Sequence, residues 1–240
     1  MVRALVALVK AHSNSWLHEV GMHRTQSNTV HARDISNRVS ALAAKTRVVE
    51  ALRKEQIVCF PTDTLYALAC NALSASAVRR LYEIKRRQYH KPIPILLNSL
   101  AMIRKFALLR DEDWNIIERL TPGPVTFVVP LQGTRSLPGE FFRSTVGVRV
   151  PDHTMARAIL REFGGPVAAT SANLSGTPGA RRAAEIPQEI RDCVSELVED
   201  DSAVGGMCST VFDVQSRKIL RIGMFSEHKI AGVVRSCKRT

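Results

Sequence analysis

A chain of 240 residues with 45% apolar and 23% charged side chains carries enough apolar material for a packed core, which excludes a disordered or fibrous polypeptide. A formal net charge of +12 argues either for a solvated basic surface or for a groove that takes polyanions such as nucleotides, pyrophosphate or RNA. The early apolar run "ALVALV" stops at Lys10, far short of a bilayer span, and no membrane segment appears elsewhere.

Residues 1–45 differ from the remainder of the chain. They hold six Lys/Arg and two acids, a net of +4, with frequent His, Ser and Asn and no lasting apolar period. This composition fits a flexible extension or an organellar transit peptide, so the compartment is cytoplasmic in the first case and mitochondrial or plastid in the second. Residues 46–240 read as one domain. Its five cysteines (Cys59, Cys70, Cys193, Cys208, Cys237) show no C-x-x-C or zinc spacing, and no metal site is expected. An odd number without a secretory signal points to a reducing compartment. Cys59 and Cys70 sit beside strand-like runs and read as small buried apolar groups.

From Thr46 the pattern is regular. "TRVVEALRKEQ" places Val48, Val49 and Leu52 on one helical face, and "IVCF" reads as a buried strand. In "SASAVRRLYEIKRR", Val78, Leu81, Tyr82 and Lys85 share a helical phase. "PIPILL" is broken by proline and predicts an edge strand or a strand start. "LAMIRKFALL" and "DEDWNIIERL" predict helices, the second with acids in its first turn. "VTFVVP" and "TVGVRVP" predict strands, "TMARAILREF" a helix and "PVAAT" a strand. "RRAAEIPQEI", "CVSELVE", "STVFDV" and "KILRI" continue the alternation, and "SEHKIAGVVRSC" closes it as a helix. The middle strands come too close together for a strictly parallel sheet. A mixed-sheet α/β domain, α+β-like in character, is the expectation.

No P-loop, dinucleotide glycine turn, H-E-x-x-H or G-x-S-x-G is present, so a bound nucleotide would depend on side-chain cations. "EIKRRQYHKP" supplies Lys85, Arg86, Arg87 and Lys91 at the end of a helix and in the next loop. They serve equally as cations favoured by the helix dipole or as a phosphate clamp. "TSANLSG" offers hydroxyls and an amide after a strand, Ser209 and Thr210 open another strand, and Arg149 stands among valines. An arginine there must reach solvent, an acid or an anionic ligand. With "FPTDTLYAL", these clusters at strand ends fit a ligand bound where strands end.

"FPTDTLYAL", "EIKRRQYHKP", "TPGPVTFV", "TVGVRVPDH", "ATSANLSG", "STVFD" and "LRIG" stand in the order of the YrdC family, and the chain resembles its threonylcarbamoyl-AMP synthases over about residues 45–225. The resemblance implies a YrdC/RibB-like twisted mixed sheet with flanking helices around a large basic cavity, in the short, single-domain form. It implies a nucleotidyltransferase that converts L-threonine, bicarbonate and ATP, with Mg2+, to L-threonylcarbamoyl-AMP and diphosphate, the first step of threonylcarbamoyladenosine formation in tRNA. The family's signature residues fall on Lys85, Arg87, Ser171 and Asn173. Its ATP contacts fall on Arg87, Lys91, Thr145, Asn173 and Arg221, and its threonine contacts on Thr64, Arg149, Ser171 and Ser209. A threonylcarbamoyl-transferase complex would accept the product, and tRNA or double-stranded RNA is an implied further partner.

The sequence departs from the family at Ala67, where glycine is usual, at Leu96, where many members carry histidine, and at Ile222, in place of proline. The alternative function is a double-stranded RNA or tRNA module without catalysis. Aromatics at only 5% weaken base stacking as its mechanism. A carbamoyl-adenylate domain of the hydrogenase-maturation type would bring zinc-binding cysteine pairs, which the chain lacks.

Overall fold

The computed structural model describes residues 26–132, 137–202 and 204–237, with side chains from residue 36 onward. The chain divides into two compact units at Arg47/Val48. In the first, residues from 26 onward belong to helix α1 (Gln26–Arg53), whose Leu42 is exposed. Helix therefore begins well before Thr46, where the apolar period starts. The upstream turns gather their apolar residues on no single face, so periodicity carried no signal there. The expected transit segment falls mostly on residues 1–25, outside the described residues.

In the second unit, β1 (Val58–Phe60), β2 (Ala67–Asn71), β3 (Ile95–Leu96), β4 (Val125–Pro130), β5 (Thr145–Arg149), β6 (Val167–Ser171), β7 (Glu196–Leu197), β8 (Thr210–Asp213) and β9 (Lys218–Arg221) form one sheet. Its order is β7-β1-β2-β6-β3-β5-β4-β8-β9. The pairs β1–β7, β3–β5 and β4–β8 are parallel and the remaining pairs antiparallel, so the sheet is mixed.

Flanking helices are α2 (Ala75–Ile84), α3 (Leu100–Ile103), α4 (Asp111–Arg119), α5 (Thr154–Phe163), α6 (Gln188–Arg191) and α7 (Glu227–Cys237). Ser74 caps α2 by accepting from the Ala77 amide at 3.2 Å. Gly164, at φ +75°, ends α5 in the left-handed region. Helix α2 packs on β2, and α4 packs on α7.

Three expectations are narrowed here. Of the two readings of "PIPILL", the strand start holds and the edge does not: β3 begins directly after Pro94 and lies mid-sheet, with Leu96 paired to Arg149 on one side and Val167 on the other. Its prolines stop short of the two-residue ladder, so neither costs β3 a hydrogen bond. "LAMIRKFALL" gives helix only over Leu100–Ile103, because Ala107 turns away to bridge Leu131. "RRAAEIPQEI" likewise reduces to a 3-10 turn at Ala183–Glu185 and the single turn α6, separated by Pro187.

The strands sort their residues by parity. On β4, Val125, Phe127 and Val129 are buried in the core, as are Val146 and Val148 on β5 and Leu68 and Cys70 on β2. The alternate residues Thr126, Val128, Thr145, Gly147, Arg149 and Ala67 face a cavity. One sheet face makes the core and the other makes the floor of a site.

Candidate functional site

The cavity is about 640 Å3, within the usual range of small-molecule sites, roughly 300–1,000 Å3. It spreads over the sheet face from β2 to β9 rather than sitting only beyond the strand ends, which corrects the strand-end expectation. Lys85, Arg87, Lys91, Arg149 and Arg221 reach it, and among the described residues its lining includes no aspartate or glutamate. Every residue assigned by resemblance lines this one space: Thr64, Lys85, Arg87, Lys91, Thr145, Arg149, Ser171, Asn173, Ser209 and Arg221. Arg86 does not. At φ +49° it turns outward, is exposed and pairs with Glu189 at 3.2 Å.

The turn before β2 forms one wall. The Thr62 hydroxyl donates to the Leu65 carbonyl at 2.7 Å, so the 2.9 Å contact with Thr64 uses the Thr64 proton. Thr64 Oγ1 in turn accepts from Arg149 Nη1 at 2.9 Å. One acceptor lone pair on Thr64 is left for a ligand. Arg149 is buried; its Nε donates to the Gly123 carbonyl at 3.0 Å and its Nη2 forms an ion pair with Asp63. The sequence required an acid, solvent or an anion for this arginine. The acid is Asp63, which the sequence reading did not single out, and one N–H of each terminal nitrogen remains for a ligand.

The opposite wall is the loop after β6, organised by Lys85. Its helical phase carries it inward with Leu81 and Tyr82, and it is only 2% exposed. The ammonium donates to the Ser171 carbonyl at 2.6 Å, to Asn173 Oδ1 at 2.5 Å and to the Asn173 carbonyl. Burial, with the like charge of Arg87 added, pulls its pKa from 10.5 down to about 7. Ser171 Oγ donates to the same Asn173 Oδ1 at 2.5 Å, and Ser175 closes the loop on the Lys85 carbonyl at 2.8 Å. Lys85 thus shapes the loop from behind, and Ser171 and Asn173 present it to the cavity.

Arg87 folds back onto its own loop, donating to the carbonyls of Lys91 at 3.0 Å and Pro92 at 2.9 Å. Across the floor, Arg221 donates to the Ser209 carbonyl at 2.9 Å and to its hydroxyl at 3.2 Å, and that hydroxyl meets Thr126 at 2.8 Å. Burial is the main force against the Arg87 and Arg149 cations, and the like charge of Arg221 adds to it in both. Like charges held this close leave a strongly positive field. Thr126 escaped the sequence reading, although the polar break in "VTFVV" was a signal for it; Ser175 falls within the "TSANLSG" cluster but was not named on its own.

Among the described residues, no group of three His, Cys, Asp or Glu comes together to hold a metal. No helix among them is long and apolar enough to cross a membrane.

The family described as Sua5/YciO/YrdC, telomere recombination, matches residues 50–223. The chain is 33% identical over 193 residues to a Methanocaldococcus jannaschii protein, covering 78% of this chain and 91% of that one. It is 32% identical over 187 residues to the threonylcarbamoyl-AMP synthase of Serratia proteamaculans, covering 74% and 95%. The crystal structure of P. abyssi Sua5 complexed with L-threonine matches with a TM-score of 0.75 and 29% identity, over 80% of this chain and 57% of that longer one. With its motifs gathered around one cavity on this sheet, the chain belongs to the Sua5/YciO/YrdC family.

Proposed function

We propose that the protein is a nucleotidyltransferase that makes L-threonylcarbamoyl-AMP from L-threonine, bicarbonate and ATP. The observation that carries this reading is a cavity lined by five basic side chains and, among the described residues, no carboxylate, with hydroxyl groups between them. Such a wall suits a triphosphate at one end and an amino-acid carboxylate at the other. The naming of relatives as threonylcarbamoyl-AMP synthases and the threonine bound to P. abyssi Sua5 support it.

Arg149 offers its two remaining N–H groups to the threonine carboxylate, and Thr64 offers its acceptor lone pair to the substrate amine. Ser171 and Ser209 close this end. The amine adds to bicarbonate with loss of water, giving an N-carboxylate. That carboxylate attacks the α-phosphorus; the new P–O bond forms as the bond to diphosphate breaks. Arg87, Lys91 and Arg221 stabilise the charge that grows on the leaving diphosphate, while Thr145 and Asn173 orient the nucleotide. No residue needs covalent modification. Mg2+ fits as an ion carried by the triphosphate, since the wall offers hydroxyls but no acid cluster, and it would neutralise phosphate charge.

The test is purified protein with MgATP, threonine and labelled bicarbonate. Labelled threonylcarbamoyl-AMP is expected; no product above a Lys85→Ala, Arg87→Ala double variant overturns the reading. An RNA-binding module without catalysis would release no threonine-dependent diphosphate. On this reading the product passes to a threonylcarbamoyl-transferase complex. A reporter fused after residue 45 decides between a cytoplasmic and an organellar location.

A further inference from the structure

The segment that brings Cys208 and Ser209 into the cavity is tied down at its start by a buried phenol that the reaction does not use. Tyr66 is fully buried, and its hydroxyl donates to Asp201 Oδ1 at 2.6 Å while accepting from the Asp200 amide at 2.9 Å. The same Asp201 oxygen accepts from the Ala183 amide at 2.8 Å. Through its backbone, Tyr66 also accepts from Ala172 at 2.8 Å and donates to Ala180 at 3.0 Å. One residue therefore joins the turn before β2, the loop after β6 and the segment leading to Ser209.

Farther along that segment, the Gly205 amide donates to the Asp63 carbonyl at 3.1 Å and the Gly206 amide to the Thr64 carbonyl at 2.7 Å. The fit leaves no room for side chains. A Cβ on Gly205 would lie 2.8 Å from the Asp63 carbonyl oxygen. Gly206, at φ +78°, would place one 2.2 Å from Arg181 Nε. The Asp63–Thr64 turn is thus held from behind by two amides, and its side chains are those that grip Arg149. Asp201 is itself exposed, and its carboxylate pKa is lowered chiefly by the Tyr66 hydrogen bond.

We propose that the Tyr66–Asp201 hydrogen bond is a positioning device. It presses the segment leading to Ser209 against the Asp63–Thr64 turn and so sets the end of the cavity that takes threonine. The proposal rests on the threonylcarbamoyl-AMP synthase reading for its substrate, but not for its mechanical link.

Tyr66→Phe removes the hydroxyl and keeps the ring; Asp201→Ala removes the acceptor; Asp201→Asn keeps an acceptor oxygen. Two readouts apply. Amide hydrogen exchange should quicken at Gly205 and Gly206 by about tenfold or more in Tyr66→Phe and Asp201→Ala, and stay near wild type in Asp201→Asn. In turnover, the first two variants should raise the threonine KM about tenfold, with the ATP KM unchanged, and Asp201→Asn should restore it. Unchanged exchange at both glycines overturns the proposal whether or not the enzyme turns over. A lower unfolding midpoint with equal shifts in both KM values also overturns it, because it marks a merely structural bond. Absence of wild-type turnover refutes the functional reading alone, and exchange still decides the link.

Discussion

Arg149 and Thr64, 85 residues apart in the chain, meet at 2.9 Å, where a guanidinium N–H on β5 donates to a hydroxyl on the turn before β2. Asp63 next door holds the same guanidinium in a buried ion pair. Two adjacent residues thus divide the work: one balances the charge, the other fixes its direction.

We predict that Asp63→Ala destabilises the fold by about 3–5 kcal/mol, because it strands a buried cation. Asp63→Leu combined with Arg149→Met should recover much of that loss while abolishing threonine binding. Urea unfolding together with threonine calorimetry reads both effects. Equal stability of Asp63→Ala and wild type would count against the buried pair.

Lys85 makes stability depend on pH in a stated direction. Its folded pKa, about 7, lies below its ordinary 10.5. Between those values the unfolded chain carries a proton that the folded protein has released, so stability rises with pH across that window. We predict that the stability of wild type relative to Lys85→Met grows between pH 7 and pH 10. A flat or falling difference in denaturant titrations would show that the three oxygens around the ammonium keep it charged.

Arg87 should not tolerate lysine. Its fork fastens the loop through two carbonyls and still faces the cavity, a geometry that a point charge cannot copy. We predict that Arg87→Lys raises the ATP KM about tenfold or more and lowers kcat, with the threonine KM little changed. Steady-state kinetics with each substrate varied separately checks this.

Ala67 lines the floor opposite Ser171, its register partner on β6. Ala67→Val adds two methyl groups to the cavity rather than to the core. The expected result is a threonine KM raised about tenfold at nearly unchanged melting temperature. Unchanged kinetics would place the substrate farther from β2.

Much of this site was legible because local rules reach it. Helical phase placed Lys85 with Val78, Leu81 and Tyr82, and all four are buried. The lone arginine among the valines of β5 announced a need that burial confirms. What local rules could not supply was partnership at a distance. Asp63 looked like a turn residue because nothing within a few positions marks it as the counter-ion of Arg149. The place of β3 was hidden for a similar reason: its prolines allow either an edge or a strand start, while its central position depends on β5 and β6, which come later in the chain. Thr126 could have been read from strand parity, once it was known that the second face of β4 floors the cavity. The turns of α1 before residue 46 lack the amphipathic stripe on which a helix is usually recognised.

A cationic wall with no carboxylate among the described residues that line it has a cost after the chemistry is done. In the proposed mechanism Arg87, Lys91 and Arg221 take the phosphate oxygens, and free diphosphate presents the same oxygens as the triphosphate. Diphosphate should therefore leave slowly, compete with ATP and drive the reaction backward when it accumulates. The direction of turnover then depends on whatever hydrolyses diphosphate in the surrounding solution, so adding an inorganic diphosphatase should raise the yield without touching the protein.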